Sequence, residues 1–502
     1  MAKSAFPHIF VSLPATSLDA VETYIASLGT SSSLGFELRL DYLGDYHQLE
    51  SELHQMLARL HYPHTIATCR RQAAGGRFPG SADEQLDILA AASRAGCQWV
   101  DIEIESVGAL RNGWIKQLAS SKVIASYHNY HTTPALGAVY RKLARLPVEV
   151  VKIASSARNL QDNLKVYKLL KAHRRRRPML VAHAMGGSGI SSRVLALRWG
   201  CPFTYASVGN HAEVAGGQLP AEIMRGVYRI EHLDPRTQLF GVVGTKASMS
   251  LSPVMQNIAF QAKHVNALYL PCETNRLSDF LNFAQSLGFA GFSVTMPFKQ
   301  AIMRKLSWVD PLAKEIGACN TVAIRRGKWM GWNTDSAAVI EVLTKRLRLE
   351  GSRILILGAG GAARAAAYAL RAKNAEILIA ARREAMARRL ARCVGAQAIP
   401  WDNADNLDVD AVINATPVGM PPHTDSSPID LARLRARVVL DMVYYPLETR
   451  FLSDARGRGL VTISGIEMLV AQGARQFEIW TDQSAPRALM EQAVRQTINH
   501  SG

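Results

Sequence analysis

A lysine inside an apolar run and a histidine closing the run before it are the residues in this sequence most able to do chemistry together. Lys152 lies within Val150-Val-Lys-Ile-Ala154 and His128 within Ala125-Ser-Tyr-His-Asn129. If the first run is a strand facing a protein interior, desolvation disfavours the ammonium and leaves an amine able to attack a ketone. An imidazole titrates near neutrality, so His128 can move the proton α to an imine and later protonate a leaving hydroxyl. Each alone has a plainer explanation: the lysine snorkels to a rim carboxylate, and the histidine is a satisfied structural residue. Three guanidiniums change the balance, because Arg39, Arg70 and Arg193 are forks that bind a carboxylate bidentately.

The second half of the chain carries a different set. Gly358-Ala-Gly-Gly-Ala-Ala363 follows the apolar run Ile354–Leu357 and precedes the Ala-rich run Arg364–Ala372. In that strand–loop–helix setting, Gly358, Ala359, Gly360, Gly361 and Ala362 let the backbone approach a pyrophosphate seated on a helix N-terminus. The next run, Glu376-Ile-Leu-Ile-Ala380, ends in Ala381-Arg-Arg383 rather than in an acidic residue. A carboxylate there would accept from a ribose 2′-hydroxyl, whereas Arg382 and Arg383 attract a 2′-phosphate, so the expected cofactor is NADP. Upstream, Ser248-Met-Ser-Leu-Ser-Pro253 presents closely spaced hydroxyls. Ser293-Val-Thr-Met-Pro-Phe-Lys299 places an amine after a strand, and Gly317-Ala-Cys-Asn-Thr321 and Gly331-Trp-Asn-Thr-Asp335 add an amide and a carboxylate. Singly these are ordinary caps and turns.

The elements that must position the first set are short β-rich runs: Ile9–Leu13, Gly35–Arg39, Thr65–Arg70, Trp99–Glu103, Lys122–Tyr127, Glu149–Ile153, Met179–Ala182 and Phe203–Tyr205. Helix-like stretches separate them, and eight such strands are the number that closes a (β/α)₈ barrel. Their ends carry Glu37, Arg39, Arg70, Glu103, His128, Lys152 and His183, the position where such barrels keep their chemistry. After Glu231-His-Leu-Asp-Pro-Arg236 the pattern restarts with Leu239-Phe-Gly-Val-Val-Gly244. The expected domains are therefore a barrel over 1–236, a substrate-binding lobe over 237–335 and 465–502, and a Rossmann-type lobe over 336–464.

Composition narrows the partners. Lys and Arg number 58 against 41 Asp and Glu, a formal charge of +17, yet the basic residues are scattered except at Arg174–Arg177. Without aromatic-basic interleaving or a nucleic-acid motif, small anions fit better than nucleic acid. Six cysteines lie far apart with no CxxC, which predicts neither disulfides nor a zinc site and points to a reducing compartment. No apolar run of about 18 residues is present, so no membrane span is expected, and no signal or transit peptide is read at the N-terminus. The expectation is a cytoplasmic enzyme; no feature specifies an oligomeric state.

At the level of motifs, Glu37-Leu-Arg39, Thr68-Cys-Arg70, Ser126-Tyr-His128, Val151-Lys-Ile-Ala154 and Ser192-Arg193 resemble type I 3-dehydroquinate dehydratase across residues 8–230. The resemblance implies a Schiff base on Lys152, general acid/base work by His128, and substrate binding by Glu37, Arg39, Arg70, Arg193 and Gln218. Two positions depart from the family pattern. Ala74 stands where a glutamate usually partners the histidine, and Val214-Ala-Gly-Gly-Gln218 lacks a serine. Glu103 is a candidate replacement carboxylate.

Residues 239–500 resemble shikimate dehydrogenase through the motifs above and through Asn414-Ala-Thr-Pro-Val-Gly-Met420, Asp441-Met-Val-Tyr444 and Glu467-Met-Leu-Val-Ala-Gln472. That resemblance implies Lys299 and Asp335 as the catalytic pair and Ser250 and Ser252 on the substrate carboxylate. It puts Thr295, Asn320, Tyr444 and Gln472 around the ring, with Arg382 and Arg383 on the 2′-phosphate and Ala381 and Thr416 beside the cofactor. Met249 replaces a common histidine and Ala381 a common asparagine. The implied function is a bifunctional enzyme that dehydrates 3-dehydroquinate and reduces the product with NADPH. The alternatives are a dehydrogenase whose barrel is a weakened scaffold, a quinate-preferring dehydrogenase, and a non-catalytic metabolite sensor.

Overall fold

The computed structural model describes residues 7–28, 34–60, 64–110, 112–174, 176–209 and 215–499. The chain divides into two compact units, Met1–Thr237 with Pro271–Ser286, and Gln238–Leu270 with Leu287–Gly502.

The first unit holds eight parallel strands: β1 Ile9–Leu13, β2 Leu34–Arg39, β3 Thr65–Thr68, β4 Trp99–Glu103, β5 Lys122–Asn129, β6 Val150–Ser156, β7 Met179–Met185 and β8 Thr204–Ser207. They are laddered in the order β7-β6-β5-β4-β3-β2-β1-β8, the circular order of a (β/α)₈ barrel. Strand side chains alternate with period two, so each strand sends a column of residues of one parity to the interior. At the N-terminal end those columns are apolar: Phe10, Ile66, Trp99, Ile124, Val150, Val181, Phe203 and Tyr205 form one buried cluster. Two residues further along the same columns come Ser12, Thr68, Asp101, Ser126, Lys152 and His183, with Glu37 two residues beyond Gly35 on β2, all buried. The interior thus changes from hydrocarbon to charge along the barrel axis.

Strand ends differ from the expectation. β5, β6 and β7 run on to Asn129, Ser156 and Met185, because their ladders continue through Asn129↔Ser155 and Ser156↔Met185. His128 and His183 therefore lie within strands rather than at their very ends. β3 instead stops at Thr68, and Arg70 sits in a turn whose carbonyl accepts from Phe78 N at 3.0 Å.

The second unit contains two six-stranded sheets. One comprises β9 Gln238–Gly244, β10 Ala267–Glu273, β11 Gly291–Val294, β12 Trp308–Val309, β13 Thr321–Arg325 and β14 Lys328–Trp332, in the order β10-β9-β11-β13-β14-β12. The other comprises β15 Arg353–Leu357, β16 Glu376–Ala380, β17 Gln397–Ile399, β18 Ala411–Asn414, β19 Val438–Asp441 and β20 Val461–Ile463, in the order β17-β16-β15-β18-β19-β20. This second sheet is parallel throughout, with the order reversing at β15, where doubly wound folds bind nucleotides. The helix Gly465–Thr481 joins the lobes: Ile466, Val470, Ala474 and Phe477 pack with Phe240 and Met255, while Met468 and Ala471 pack with the nucleotide lobe.

One glycine tests the packing of the barrel floor. A Cβ at Gly35 would stand 2.4 Å from the ring of Phe10, which is fully buried and packs edge-on against Phe203. Gly35→Val should destabilise the barrel by about 1–3 kcal/mol through overpacking, read as a lower urea midpoint for the barrel's unfolding transition. An unchanged midpoint would show that the floor is loosely packed.

Candidate active sites

The charged end of the barrel encloses a half-open pocket of about 320 Å³, its mouth included, lined by Glu37, Arg39, Arg70, His128, Lys152, His183, Arg193, Tyr205 and Gln218 among others. Of the barrel residues singled out from the sequence, all but Glu103 thus line one cavity. Lys152 is 4% exposed, and its Nζ donates to Asp101 Oδ2 at 2.8 Å and to Glu37 Oε1 at 3.1 Å. The same nitrogen stands 3.9 Å from the centre of the Tyr205 ring. Two buried carboxylates and an aromatic face therefore hold the amine, because strands β2 and β4 aim Glu37 and Asp101 into the same interior layer. Sequence reasoning missed Asp101 and Tyr205; their even spacing from Trp99 and Phe203 on the inward columns was the available signal.

Glu37 is the hub. Its carboxylate also accepts from Ser12 Oγ at 2.5 Å and Thr68 Oγ1 at 3.0 Å, and Gln218 Nε2 donates to Ser12 Oγ at 3.2 Å. Burial alone would raise the pKa of Glu37, but Lys152, Arg39, Arg70 and the Ser12 bond outweigh it and hold it at about 2. Arg39 does not offer an open fork, since both arms grip Asp41 at 2.8 and 2.7 Å. Arg70 does: buried and 3.7 Å from Asp101, it has no hydrogen-bond partner at Nε or Nη2. A buried guanidinium with unmet donors facing a cavity is a receptor for an anion. Arg193 lies buried on the short helix Ile190–Val194.

His128 Nδ1 has no hydrogen-bond partner, and the ring lies 6.2 Å from that of Tyr130. Burial, then the charges of Arg70 and Lys152, push its pKa well below the usual histidine value, so the resting ring is a base. Ala74 lies in a short 3₁₀ turn, and the suggested substitute carboxylate does not reach the histidine. Glu103 instead accepts from Arg71 N at 3.1 Å and Gln85 Nε2 at 2.7 Å. Val214 lies outside the described residues.

In the second unit Lys299 Nζ donates to Asp335 Oδ2 at 2.6 Å. Asp335 is in the first turn of the helix Thr334–Thr344, where the helix dipole favours a carboxylate, and Asn333 caps that helix through Ser336 N. Asn320 Nδ2 donates to the other oxygen of Asp335 at 2.8 Å, and Asn320 Oδ1 accepts from Thr334 N at 2.8 Å. Both carboxylate oxygens are thus pinned, leaving the amine at a partly open surface. Thr295 follows β11 directly; Gly244 makes room for it, since a Cβ there would lie 2.3 Å from Thr295 Cγ2. Ser250 Oγ accepts from Ser252 N at 3.2 Å at the start of the helix Ser252–Ala262. Tyr444 borders the Phe240–Met255 core, and Gln472 Nε2 donates to Leu469 O at 2.8 Å. No described bond links Ser250, Ser252, Thr295, Tyr444 or Gln472 to the lysine–aspartate pair.

The glycine-rich turn joins the end of β15 to the start of the helix Gly361–Arg371. Gly358 adopts φ +110°, and a Cβ there would crowd Ala415 O at 3.0 Å; at Gly360 and Gly361 a Cβ would meet nothing within 4 Å. The turn therefore opens its backbone outward at the N-terminus of the helix Gly361–Arg371. Arg382 and Arg383 are exposed just beyond β16, with no ion-pair partner among the described residues, while Ala381 is buried. Thr416 Oγ1 donates to Asn414 Oδ1 at 2.7 Å, and Asn414 Nδ2 donates to Asp441 at 2.9 Å. Burial raises Asp441 to about 6 against the hydrogen bonds of Thr449, Val443 and Asn414. An open phosphate cradle beside two unpaired guanidiniums fits a 2′-phosphorylated dinucleotide.

Two separate sites, each built on its own α/β fold, make this a bifunctional enzyme. Residues 9–235 match the type I 3-dehydroquinase family, 242–322 the shikimate dehydrogenase substrate binding domain, 341–435 the shikimate/quinate 5-dehydrogenase family and 465–495 the shikimate 5′-dehydrogenase C-terminal domain. A chloroplastic bifunctional 3-dehydroquinate dehydratase/shikimate dehydrogenase of Arabidopsis thaliana is 32% identical, covering 94% of this chain and 82% of the relative. An NADP(+) shikimate dehydrogenase of Thermococcus kodakarensis is 40% identical and covers 53% of this chain and 99% of its own length. The Thermus thermophilus shikimate 5-dehydrogenase structure in complex with NADP(H) and shikimate is 35% identical over 52% of this chain and 99% of that one, with a TM-score of 0.48. The chain belongs to the bifunctional 3-dehydroquinate dehydratase/shikimate dehydrogenase family.

The depressed pKa of Glu37 has a consequence for stability. A carboxylate held near 2 instead of 4.5 contributes stability that is complete above pH 4.5 and is lost as pH falls through 2, on the order of 3 kcal/mol. Glu37→Gln should therefore unfold more easily than the parent at pH 7, with the gap narrowing between pH 4.5 and 2. A gap independent of pH would refute the ionic role.

Proposed function

We propose that the barrel dehydrates 3-dehydroquinate through a Schiff base on Lys152 and that the second unit reduces the resulting 3-dehydroshikimate with NADPH at Lys299 and Asp335. The observation that carries the reading is the coincidence, in one cavity, of a buried amine, a neutral imidazole and a guanidinium with unmet donors.

Arg70, with Arg193, receives the substrate carboxylate and so sets the ketone over Lys152. Asp101, whose Oδ1 has no hydrogen-bond partner, takes the proton that the amine must lose before it attacks. His128 removes the proton α to the protonated imine, leaving a neutral enamine on Lys152; the imidazolium so formed, beside the charges of Arg70 and Arg39, gives its proton readily to the departing hydroxyl.

In the second unit Ser250 and Ser252 hold the carboxylate at a helix start, and Thr295, Asn320, Tyr444 and Gln472 meet the ring. NADPH, when bound, supplies the hydride. Lys299 delivers the proton to the alkoxide oxygen, and Asp335, fixed by Asn320, keeps the ammonium aimed. Arg382 and Arg383 take the 2′-phosphate, and Gly358, Ala359, Gly360, Gly361 and Ala362 cradle the pyrophosphate beside Ala381 and Thr416.

Five buried free cysteines and one exposed, Cys393, support a cytoplasmic setting. Among the described residues no helix is long and apolar enough to cross a membrane.

Mixing the enzyme with dehydroquinate and NADPH should oxidise the cofactor steadily, since both sites are then required. Oxidation with dehydroshikimate alone would localise a defect to the barrel and favour the scaffold alternative. Borohydride added with dehydroquinate should leave a reduced adduct on Lys152, absent from Lys152→Ala; an adduct elsewhere would overturn the assignment. Lys299→Ala should lower the dehydrogenase kcat by about 10²–10⁴-fold. Arg382→Ala should raise the KM for NADPH about tenfold or more, the loss of a charge-assisted hydrogen bond worth about 1.5–3 kcal/mol, with kcat largely kept.

A further inference from the structure

The barrel pocket contains a second imidazole that the mechanism above does not use. Strand register places His128 of β5 beside Ala154 of β6, and Ala154 beside His183 of β7. The three residues form one row across adjacent strands, and all three line the pocket. Lys152 lies two residues before Ala154 in the same inward column. The amine therefore projects beneath the smallest side chain of the row, with an imidazole on either side.

His183 is 4% exposed, and its ring makes no side-chain hydrogen bond to a described residue. The groups facing it are Arg193 from the helix after β7, Lys152 from β6, Tyr205 from β8 at 6.2 Å between rings, and His128 across the row. None is a carboxylate that would hold it as a fixed cation. Burial, then Arg193 and Lys152, push its pKa well below the ordinary histidine value, so the resting ring can accept a proton.

We infer that His183 is a second catalytic residue of the barrel, dedicated to the oxygen of the substrate ketone, while His128 serves the α-carbon and the leaving hydroxyl. This rests on the Schiff-base reading of Lys152. Imine formation from an ammonium and a ketone moves two protons from nitrogen to oxygen: the C–N bond forms, the C–O bond breaks, and the oxygen leaves as water. No oxidant or reductant takes part. With the α-carbon turned towards His128, the ketone oxygen lies over Ala154 on the opposite side, next to His183. His183 relays the nitrogen-derived protons to that oxygen, and on hydrolysis it accepts a proton from the water that re-enters.

The experiment separates the two imidazoles by the step each serves. Reversible imine formation exchanges a ketone oxygen with solvent, so dehydroshikimate incubated in ¹⁸O-water with the full chain, without NADPH, reports that step alone. His183→Gln and His183→Met should slow enzyme-dependent exchange at least about tenfold, whereas His128→Ala should retain exchange and lose elimination. Exchange at the parental rate in folded His183 variants makes the ring a wall of the pocket and overturns the proposal, as does loss of exchange in His128→Ala alone. If both His183 variants fail to fold, the parent decides: exchange and elimination with separate pH midpoints sustain two imidazoles, and one shared midpoint removes the second. Absence of any borohydride adduct in the parent chain would instead refute the Schiff-base reading itself.

Discussion

The barrel depends on one buried ionic contact, the amine of Lys152 against the carboxylates of Glu37 and Asp101. Taking three charges out of water is unfavourable unless each is paired and hydrogen-bonded, and removing one partner from such a group costs about 3–5 kcal/mol. The remaining bonds of Glu37, to Ser12 and Thr68, serve that requirement. The apolar floor from Phe10 to Phe203 serves it too, by fixing the strands whose next residues carry the charges. Folding and chemistry thus share the contact. A strand slip of one residue would turn Lys152 outward and leave its partners buried without a counter-charge.

The lysine of the second unit is held by a different solution. Its side chain is 23% exposed against 5% for Lys152, and a single aspartate at a helix N-terminus suffices. Proton delivery to an alkoxide requires an ammonium that is aimed and water-accessible, not one prepared to become a nucleophile. Asn320 supplies the aim through Asp335, and the chain reuses the device in the nucleotide lobe. There Asp441 orients Asn414, and Asn414 receives Thr416.

Both folds were legible because each carries long-range periodicity: eight alternating strand–helix units in one half and a strand–glycine-loop–helix in the other. Lys152 and His128 stood out as an amine and an imidazole at neighbouring strand ends, whereas the lysine–aspartate pair, singly ordinary, was read only from the resemblance of its motifs to shikimate dehydrogenase. What escaped was cross-strand geometry. Asp101 stands on β4, two strands along the ladder from β6, whose own sequence gives no sign of it, so this partner of Lys152 went unread. The same holds for Arg39, whose type suggested an open fork although Asp41, two residues on, already occupies it. Strand ends moved for a related reason, since ladders extend as far as a partner strand permits.

The missing glutamate at position 74 changes the energetics of His128 in a definite direction. A carboxylate partner would stabilise the imidazolium, whereas here the ring has an unpartnered Nδ1 and three cations around it. Abstraction of the α-proton therefore becomes harder, because its product is a cation among cations. Donation to the departing hydroxyl becomes easier for the same reason. The substitution transfers part of the barrier from the second proton transfer to the first without removing a reacting group. A row that also holds His183 on the other side of Ala154 suits that arrangement, since an imidazole that need not attend to the ketone oxygen can stand closer to the α-carbon.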